Sequence, residues 1–198
     1  MESRVSFFPS YINLTNKKIL LIGGGNIALE KLEKLTDFSK DITVIAEDIS
    51  PKFSDFAKLN NIPIEKRAYK RGNIDGFDIV IIATNDISLH REIFNESRDS
   101  RVLVNSVDNT AYCDFIFPSY IKKGDLTISI STSGASPAMA KRIRLYIEKL
   151  IPSNIVDFLK EMRELRKSMP KGRDRMKFFE KKSDEYIRNN FRLKDKFI

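Results

Sequence analysis

The residues that point most directly to chemistry are three glycines and an alanine that follow a short apolar run. Gly23, Gly25 and Ala28 come directly after Ile19–Ile22, with Gly24 between the two spaced glycines. In a strand–turn–helix setting, the first glycine makes a tight turn, the second lets a pyrophosphate approach the backbone, and the small third residue lets the helix pack on its strand. The N–H groups that open the helix then face the phosphates. The spacing predicts a dinucleotide site with these contacts: Gly23, Gly24, Gly25, Asn26 and Ile27.

Acidic residues after the second predicted strand bear on which dinucleotide binds. An acid about 20 residues beyond the glycines can bond the ribose hydroxyls, and Glu47 and Asp48 stand there. Residues 46–51 contain no Lys or Arg to pair with a 2′-phosphate, so NAD is favoured over NADP. The alternative is that both acids simply begin the next turn. Thr84 and Asn85 end the fourth predicted strand, and we expect them at the same cofactor edge.

Strands and helices must alternate to bring these residues to one edge. β-branched apolar runs bounded by Gly, Asp or Asn are typical of buried strands, and helix-spaced apolar residues follow them here. This alternation predicts a parallel, doubly wound sheet over about residues 17–110. The predicted strands are Ile19–Ile22, Ile42–Ala46, Ile62–Lys66, Ile79–Ala83 and Val102–Asn105, and the predicted helices are Asn26–Phe38, a segment from Pro51 through Leu59 and another through Leu89 and Phe94.

The pattern changes after the sheet. Short strands are predicted at Phe115–Pro118 and Leu126–Ile130, and a Ser/Thr/Gly loop follows them. From Pro137 onward the apolar spacing is helical. Pro152 and the Pro-Lys-Gly group at 170–172 separate the helices.

Composition and cysteine content set the class of protein. The chain has 198 residues, of which 41% are hydrophobic and 31% charged, as in a soluble globular protein. No apolar stretch approaches the ~20 residues that span a bilayer, and the first residues lack an apolar signal core, so no membrane segment or export signal is expected. The single cysteine, Cys113, excludes an internal disulfide and favours the reducing cytoplasm.

The net charge of +8 is concentrated in the C-terminal part of the chain. Residues 141–198 contain 18 Lys and Arg against 9 Asp and Glu. Such a basic segment indicates a polyanionic partner, which can be a nucleic acid, an acidic membrane surface or a multiply charged small molecule, or else it is a solvated helical face. No nucleic-acid recognition motif is present, and the aromatic residues fit helix interiors better than stacking platforms. We therefore expect neither a nucleic acid nor a membrane as the partner.

Several stretches taken together resemble one family. They are FFPSYINLTNKKILLIGGGNIALEK near the N-terminus, ATND at 83–86, and VNSVDNTAYCDFIFPSYIKKGDLTISISTSGASPAMAKRIR at 104–144, followed by the basic helical tail. They resemble the precorrin-2 dehydrogenase family, which comprises the N-terminal module of siroheme synthase and its stand-alone relatives. The resemblance implies oxidation of precorrin-2 to sirohydrochlorin by NAD in siroheme biosynthesis, with insertion of ferrous iron in some members.

The resemblance also implies an architecture. We expect an α/β protein with a Rossmann-type parallel sheet domain over residues 1–113, a small central α+β dimerisation and substrate-loop domain over 114–145, and a C-terminal helical domain over 146–198. The family further implies a cytoplasmic homodimer.

Site residues are carried over where the motifs match. Asp108 matches the family's candidate acid/base, and an acid beyond a strand end can accept a proton as hydride leaves; capping a turn is its alternative role. The loop at 131–137 matches the family's substrate-pocket loop, and its hydroxyls and the helix N-terminus that follows suit carboxylates. Ser136 and Pro137 also fit an ordinary helix start. The predicted substrate contacts are Asn105, Thr132, Ser133, Gly134, Ser136 and Arg142.

Basic residues after that loop, and the single histidine, complete the candidates. Lys141, Arg142 and Arg144 would meet the substrate's carboxylates, with Arg142 or Arg144 able to pair bidentately. His90 has no Cys or second His partner, so a surface or structural role is favoured and no metal site is predicted. The alternative function is a regulatory module that senses NAD or NADH, and a nucleic-acid binder is the least favoured of the three.

Overall fold

The structure is a computed structural model that describes residues 6–107 and 109–191. The chain divides into two compact units, Met1–Ile116 and Phe117–Ile198. In the first unit the strands are β1 (Ile19–Ile22), β2 (Ile42–Ala46), β3 (Ile64–Lys66), β4 (Ile79–Ile82) and β5 (Leu103–Ser106), and the helices are α1 (Asn26–Thr36), α2 (Pro51–Leu59) and α3 (Ile87–Ser97), with a 3₁₀ turn at Thr110–Tyr112. In the second unit β6 (Ser119–Lys123) and β7 (Leu126–Ile130) precede α4 (Pro137–Leu150), α5 (Ile155–Ser168) and α6 (Arg173–Asn190).

The five strands of the first unit form a parallel sheet in the order β3-β2-β1-β4-β5. β1 and β4 are buried at every residue, which explains why their sequences are unbroken apolar runs and do not alternate. The chain adds β2 and β3 on one side of β1 and returns to add β4 and β5 on the other. Open α/β sheets bind ligands outside the carboxyl ends of the strands at such a reversal. The predicted Rossmann-type sheet is confirmed.

The helices of the first unit form in the segments that the sequence predicts, although Leu59 of α2 is 82% exposed and lies outside its buried face. α1 buries Ala28, Leu32 and Leu35, which lie on one face at helical spacing. α2 begins after Ser50, whose hydroxyl accepts the N–H of Phe53. Boundaries shift slightly from the expectation, since α1 ends at Thr36 and β5 runs one residue later than predicted.

The second unit consists of an antiparallel hairpin, β6 with β7, and the three C-terminal helices. Its core contains Ile121, Ile151, Ile155 and Tyr186, and the ring of Tyr186 stacks on Phe158 with 4.0 Å between centroids. The small antiparallel sheet and the C-terminal helices confirm the predicted fold class. The three-domain boundaries stay a prediction.

One predicted strand is wrong. Residues 115–118 form no strand, and β6 begins at Ser119. Pro118 precedes it, and a proline nitrogen cannot donate a ladder hydrogen bond. Across the described residues, no helix is both long and apolar enough to cross a bilayer.

Candidate functional site

Gly23 is held against the end of β4. Its φ is +124°, and a Cβ added there would lie 2.3 Å from the carbonyl oxygen of Ala83, closer than any side chain can approach. Its N–H donates to the Ile45 carbonyl at 2.9 Å. The loop after β1 thus crosses the sheet edge in contact with both neighbouring strands, and only glycine fits at this position.

Gly24 packs against the loop after β2. A Cβ there would lie 2.4 Å from the Asp48 carbonyl oxygen, and the Gly24 carbonyl accepts the N–H of Ser50 at 2.9 Å. The close approach at Gly24 is therefore to the protein's own backbone. Its predicted contact with the cofactor stays a prediction.

Gly25 differs from both, because a Cβ added to it would meet nothing within 4 Å. It is the N-cap of α1, with φ −87° and no side-chain hydrogen bond capping the helix. Asn26 and Ile27 beside it are exposed. The N-terminal N–H groups and the positive end of the helix dipole thus open onto free space beside the strand reversal. This space suits a phosphate group of a dinucleotide.

Two further strand ends bring residues to the same edge. Glu47 and Asp48 follow β2 directly and are exposed. Thr84 and Asn85 follow β4, where Asp86 begins α3 by accepting the N–H groups of Ser88 and Leu89. Since the strands are parallel, their carboxyl ends lie along one edge. The structure therefore brings together the glycine loop, the two acids and the Thr84–Asn85 turn.

The histidine that the sequence left as surface or structural is structural. His90 is fully buried on α3. Its Nε2 lies 3.0 Å from the Thr84 carbonyl oxygen and 3.1 Å from Thr84 Oγ1, and its Nδ1 lies 2.7 Å from Ser106 Oγ. Sequence reasoning missed this contact, although the spacing of His90 with Ile93 and Ser97 on the buried face of α3 carried the signal.

The segment after β5 is held from inside the fold. Asn105 is buried, and its Nδ2 donates to the Phe115 carbonyl at 2.8 Å, so this side chain helps to shape the segment. Its predicted contact with the substrate stays a prediction. Cys113 Sγ accepts the N–H of Ser106 at 3.3 Å, and its thiol lies 3.1 Å from the Ser106 carbonyl oxygen. Burial raises the pKa of the Cys113 thiol. Asp108, the candidate acid/base, lies outside the described residues.

Asp114 ties this segment back to β5. Its carboxylate accepts the N–H of Val104 at 2.8 Å and two guanidinium nitrogens of Arg98 at 2.9 and 2.6 Å. Its own N–H donates to the Val104 carbonyl at 2.8 Å. Charge-assisted bonds are the stronger class of hydrogen bond, so Asp114 fixes where the chain returns after position 108.

We expect Asp114→Ala to lower the free energy of unfolding by about 2 kcal/mol, because Val104 N–H and Arg98 lose a charged acceptor. Urea denaturation followed by circular dichroism measures the change. Glu65→Ala is the matched control, since its ion pair with Arg67 is largely exposed and such pairs contribute at most about 1 kcal/mol. Equal losses in the two variants would contradict the role given to Asp114.

The predicted substrate loop is an exposed turn that leads into α4. Thr132 Oγ1 accepts the N–H of Ser136 at 3.0 Å, and Ser136 Oγ accepts the N–H of Met139 at 3.2 Å. Ser133 and Gly134 have positive φ, +51° and +84°. The helix start predicted at Ser136 and Pro137 is confirmed. The contact of this loop with a substrate stays a prediction.

The basic residues beyond the loop differ in what they already bind. Arg144 forms an ion pair with Glu148 at 2.7 Å. Lys141 and Arg142 are exposed, and no ion pair involves Arg142 within the described part of the chain. Of the two arginines that could bind a substrate carboxylate, Arg142 is therefore the one without an ion pair among the described residues.

Among residues 6–107 and 109–191, no three His, Cys, Asp or Glu side chains converge as a metal site would need.

Comparison with protein families agrees with this geometry. Residues 10–119 match the family model described as putative NAD(P)-binding, and residues 123–150 match the one described as sirohaem biosynthesis protein central. The fold and the strand-end site are thus those of a dinucleotide-binding protein with a Rossmann-type sheet. The chain belongs to this NAD(P)-binding family, and the resemblance to the precorrin-2 dehydrogenase family is confirmed. The predicted nicotinamide dinucleotide cofactor is confirmed with it.

Individual relatives give the extent of the likeness. Siroheme synthase 1 of Serratia proteamaculans is 32% identical over 151 residues, which are 76% of this chain and 32% of the relative. Siroheme synthase of Methylococcus capsulatus is 31% identical over 181 residues, 89% of this chain and 38% of the relative. The chain spans about a third of the length of these curated relatives. SirC, precorrin-2 dehydrogenase, matches with a TM-score of 0.74 at 22% identity over 96% of this chain and 93% of that one, which establishes the fold.

Proposed function

We propose that this chain oxidises precorrin-2 to sirohydrochlorin in siroheme biosynthesis, with NAD as the hydride acceptor. The observation that carries the proposal is the open N-terminus of α1 at Gly25, in a chain whose other family match is to a sirohaem biosynthesis protein. The names of the relatives, siroheme synthase and precorrin-2 dehydrogenase, support the substrate.

The choice of NAD over NADP rests on the end of β2. Glu47 and Asp48 are exposed there, at the position where an acid can accept the ribose hydroxyls. A carboxylate at this place repels a 2′-phosphate, and residues 46–51 provide no cation to neutralise one. We therefore propose that the protein binds NAD in strong preference to NADP.

The chemistry divides between cofactor and protein. NAD, when bound, supplies the acceptor for the hydride, so the two electrons and one hydrogen that precorrin-2 loses leave with the cofactor. The second hydrogen leaves as a proton, and in this proposal the Asp108 carboxylate accepts it. The loop at 131–137 and Arg142 bind the carboxylates of the substrate. The products are sirohydrochlorin, NADH and a proton.

A homodimer and a cytoplasmic location are part of the proposal. α4 exposes a stripe of apolar side chains at helical spacing, Met139, Ile143, Tyr146 and Leu150, each between 37% and 55% exposed. A stripe at this spacing suits packing against another helix, and we assign it to a second copy of the chain. Sedimentation analysis of the purified protein at micromolar concentration tests the dimer.

The test of the proposed function is anaerobic incubation of the purified protein with precorrin-2 and either NAD or NADP, following the sirohydrochlorin spectrum. NAD-dependent formation of sirohydrochlorin supports the proposal, and equal rates with NADP would overturn the assignment of the acids after β2. Ferrous ions added afterwards test insertion of iron, for which the metal is a second substrate. NAD binding without any oxidation would favour the alternative function, a module that senses NAD or NADH.

Arg142→Ala is expected to raise KM for precorrin-2 about threefold to tenfold with kcat little changed, because the variant loses a charge-assisted bond to a substrate carboxylate. Steady-state kinetics under nitrogen measure the split. Lys177→Ala removes the same charge from an exposed position on α6 and is the control for net charge. If both variants raise KM equally, the basic segment acts as a diffuse field and Arg142 has no specific contact.

A further inference from the structure

His90 connects the ends of two strands at the cofactor edge. It is the single histidine of the chain and is fully buried on α3. One ring nitrogen, Nε2, lies 3.0 Å from the Thr84 carbonyl oxygen after β4, and the other, Nδ1, lies 2.7 Å from Ser106 Oγ at the end of β5. The imidazole therefore spans the gap between two adjacent parallel strands at the point where both leave the sheet.

The partners determine which nitrogen carries the proton. A backbone carbonyl can only accept a hydrogen bond, so Nε2 is protonated and donates to the Thr84 carbonyl oxygen. In the neutral ring Nδ1 is then an acceptor, and the Ser106 hydroxyl donates to it. The contact of Nε2 with Thr84 Oγ1 at 3.1 Å lies on the same side. Both nitrogens of the fully buried ring therefore have a hydrogen-bond partner inside the fold.

Each end of this bridge belongs to a segment that the reaction needs. Thr84 begins the Thr84–Asn85 turn at the cofactor edge. Ser106 begins the segment that leads to position 108, and Cys113 holds the backbone N–H and carbonyl of Ser106 from the other direction. A change in the spacing of these two strand ends would move the segment that follows Ser106 relative to the cofactor edge.

We propose that His90 is a positioning residue that sets the distance between the cofactor edge after β4 and the segment after β5 that contains Asp108. This inference rests on the proposed dehydrogenase function. The glycine loop and the acids after β2 supply the other predicted cofactor contacts, so we expect loss of the bridge to change the rate of hydride and proton transfer more than it changes NAD affinity. A side chain needed only for stability would not produce this separation.

Three substitutions at position 90 separate the two ends of the bridge. His90→Leu removes both hydrogen bonds. His90→Gln places an amide group where Nε2 lies and can keep the bond to Thr84. His90→Asn places an amide group where Nδ1 lies and can keep the bond to Ser106. We expect His90→Leu to lower kcat about tenfold to a hundredfold while KM for NAD changes by less than about threefold. Glutamine and asparagine are each expected to recover only part of the loss, because each restores one end.

Ile93→Val is the matched control for stability. Ile93 is fully buried on the same helix, within the apolar core of the first unit, and loss of one methyl group there lowers stability by about 1 kcal/mol. We expect this variant to lose stability with kcat per folded molecule unchanged. The proposal is overturned if His90→Leu has the kcat of Ile93→Val, or if KM for NAD rises as much as kcat falls.

Nuclear magnetic resonance of the wild-type protein labelled at histidine nitrogen gives a second readout that needs no turnover. The single histidine yields one pair of ring signals, and we expect a protonated Nε2, an unprotonated Nδ1 and a shift of both when NAD saturates the site. The opposite tautomer would overturn the bridge, and signals that NAD leaves unchanged would overturn its link to the cofactor edge. If precorrin-2 is not oxidised at all, the proposed function fails, and these signals still test the bridge and its link to NAD.

Discussion

Replacing Gly25 with alanine is expected to raise the Kd for NAD at least about tenfold, a loss of about 1.4 kcal/mol, while the protein stays folded. Nothing in the protein lies within 4 Å of the added methyl group, and the φ of −87° suits alanine. The free energy of unfolding should fall by about 1 kcal/mol at most, which is the difference between glycine and alanine at an N-cap. The methyl group instead occupies the space in which the pyrophosphate meets the helix N-terminus.

Gly23→Ala provides the contrast, because there the obstacle is the protein itself. The added methyl group would overlap the Ala83 carbonyl oxygen at 2.3 Å, and the φ of +124° is one that alanine rarely adopts. We expect the free energy of unfolding to fall by about 3 kcal/mol from strain and backbone displacement. Gly23 therefore lets the backbone pack closely within the protein, whereas Gly25, two positions later, leaves space for the ligand.

Isothermal titration with NAD and urea denaturation of both variants measure the two quantities separately. The expected pattern is low affinity with near-normal stability for Gly25→Ala, and low stability for Gly23→Ala. Wild-type affinity in Gly25→Ala would show that the pyrophosphate does not approach the start of α1. Normal stability in Gly23→Ala would show that the loop after β1 can move away from Ala83.

The parts of the fold that were predictable are those that local sequence encodes. β1 and β4 are apolar, β-branched runs bounded by polar residues or glycine. This is the sequence pattern of a strand that is buried on both faces of a parallel sheet. The parallel arrangement followed from the alternation of strands with helices. The start of α4 was predictable because Ser136 and Pro137 act on the helix that they begin. In each case cause and effect lie within a few residues of each other.

The parts that were not predictable depend on atoms from distant elements. Gly24 could be chosen as a cofactor contact from its place in the motif, but its closest neighbour is the Asp48 carbonyl oxygen, and the sequence does not reveal that contact. The role of Cys113 was not predictable either. The sequence showed only that it is the single cysteine, whereas its thiol hydrogen-bonds the backbone of Ser106. Within the segment where a strand was expected, the Phe115 carbonyl likewise accepts a hydrogen bond from the side chain of Asn105, ten residues earlier in the chain.

Replacing Asp108 with asparagine is expected to lower kcat for precorrin-2 oxidation about a hundredfold, because asparagine cannot accept the proton that must leave with the hydride. The amide has nearly the shape of the carboxylate, so NAD affinity should change by less than about threefold. Asp99→Asn is the control, since Asp99 is exposed in the turn between α3 and β5 and undergoes the same change of charge.

The dependence of kcat on pH distinguishes a base from a residue that only shapes the loop. In the wild type, kcat should fall as the pH drops through the pKa of the base, because the protonated carboxyl cannot accept a second proton. In Asp108→Asn this acidic limb should disappear, leaving a low rate that is flat over the same range. A variant that keeps the limb at reduced rate would place the base elsewhere and leave Asp108 with a turn-capping role. A variant that keeps the full rate would mean that water accepts the proton without help, and the segment after β5 would then act through its shape alone.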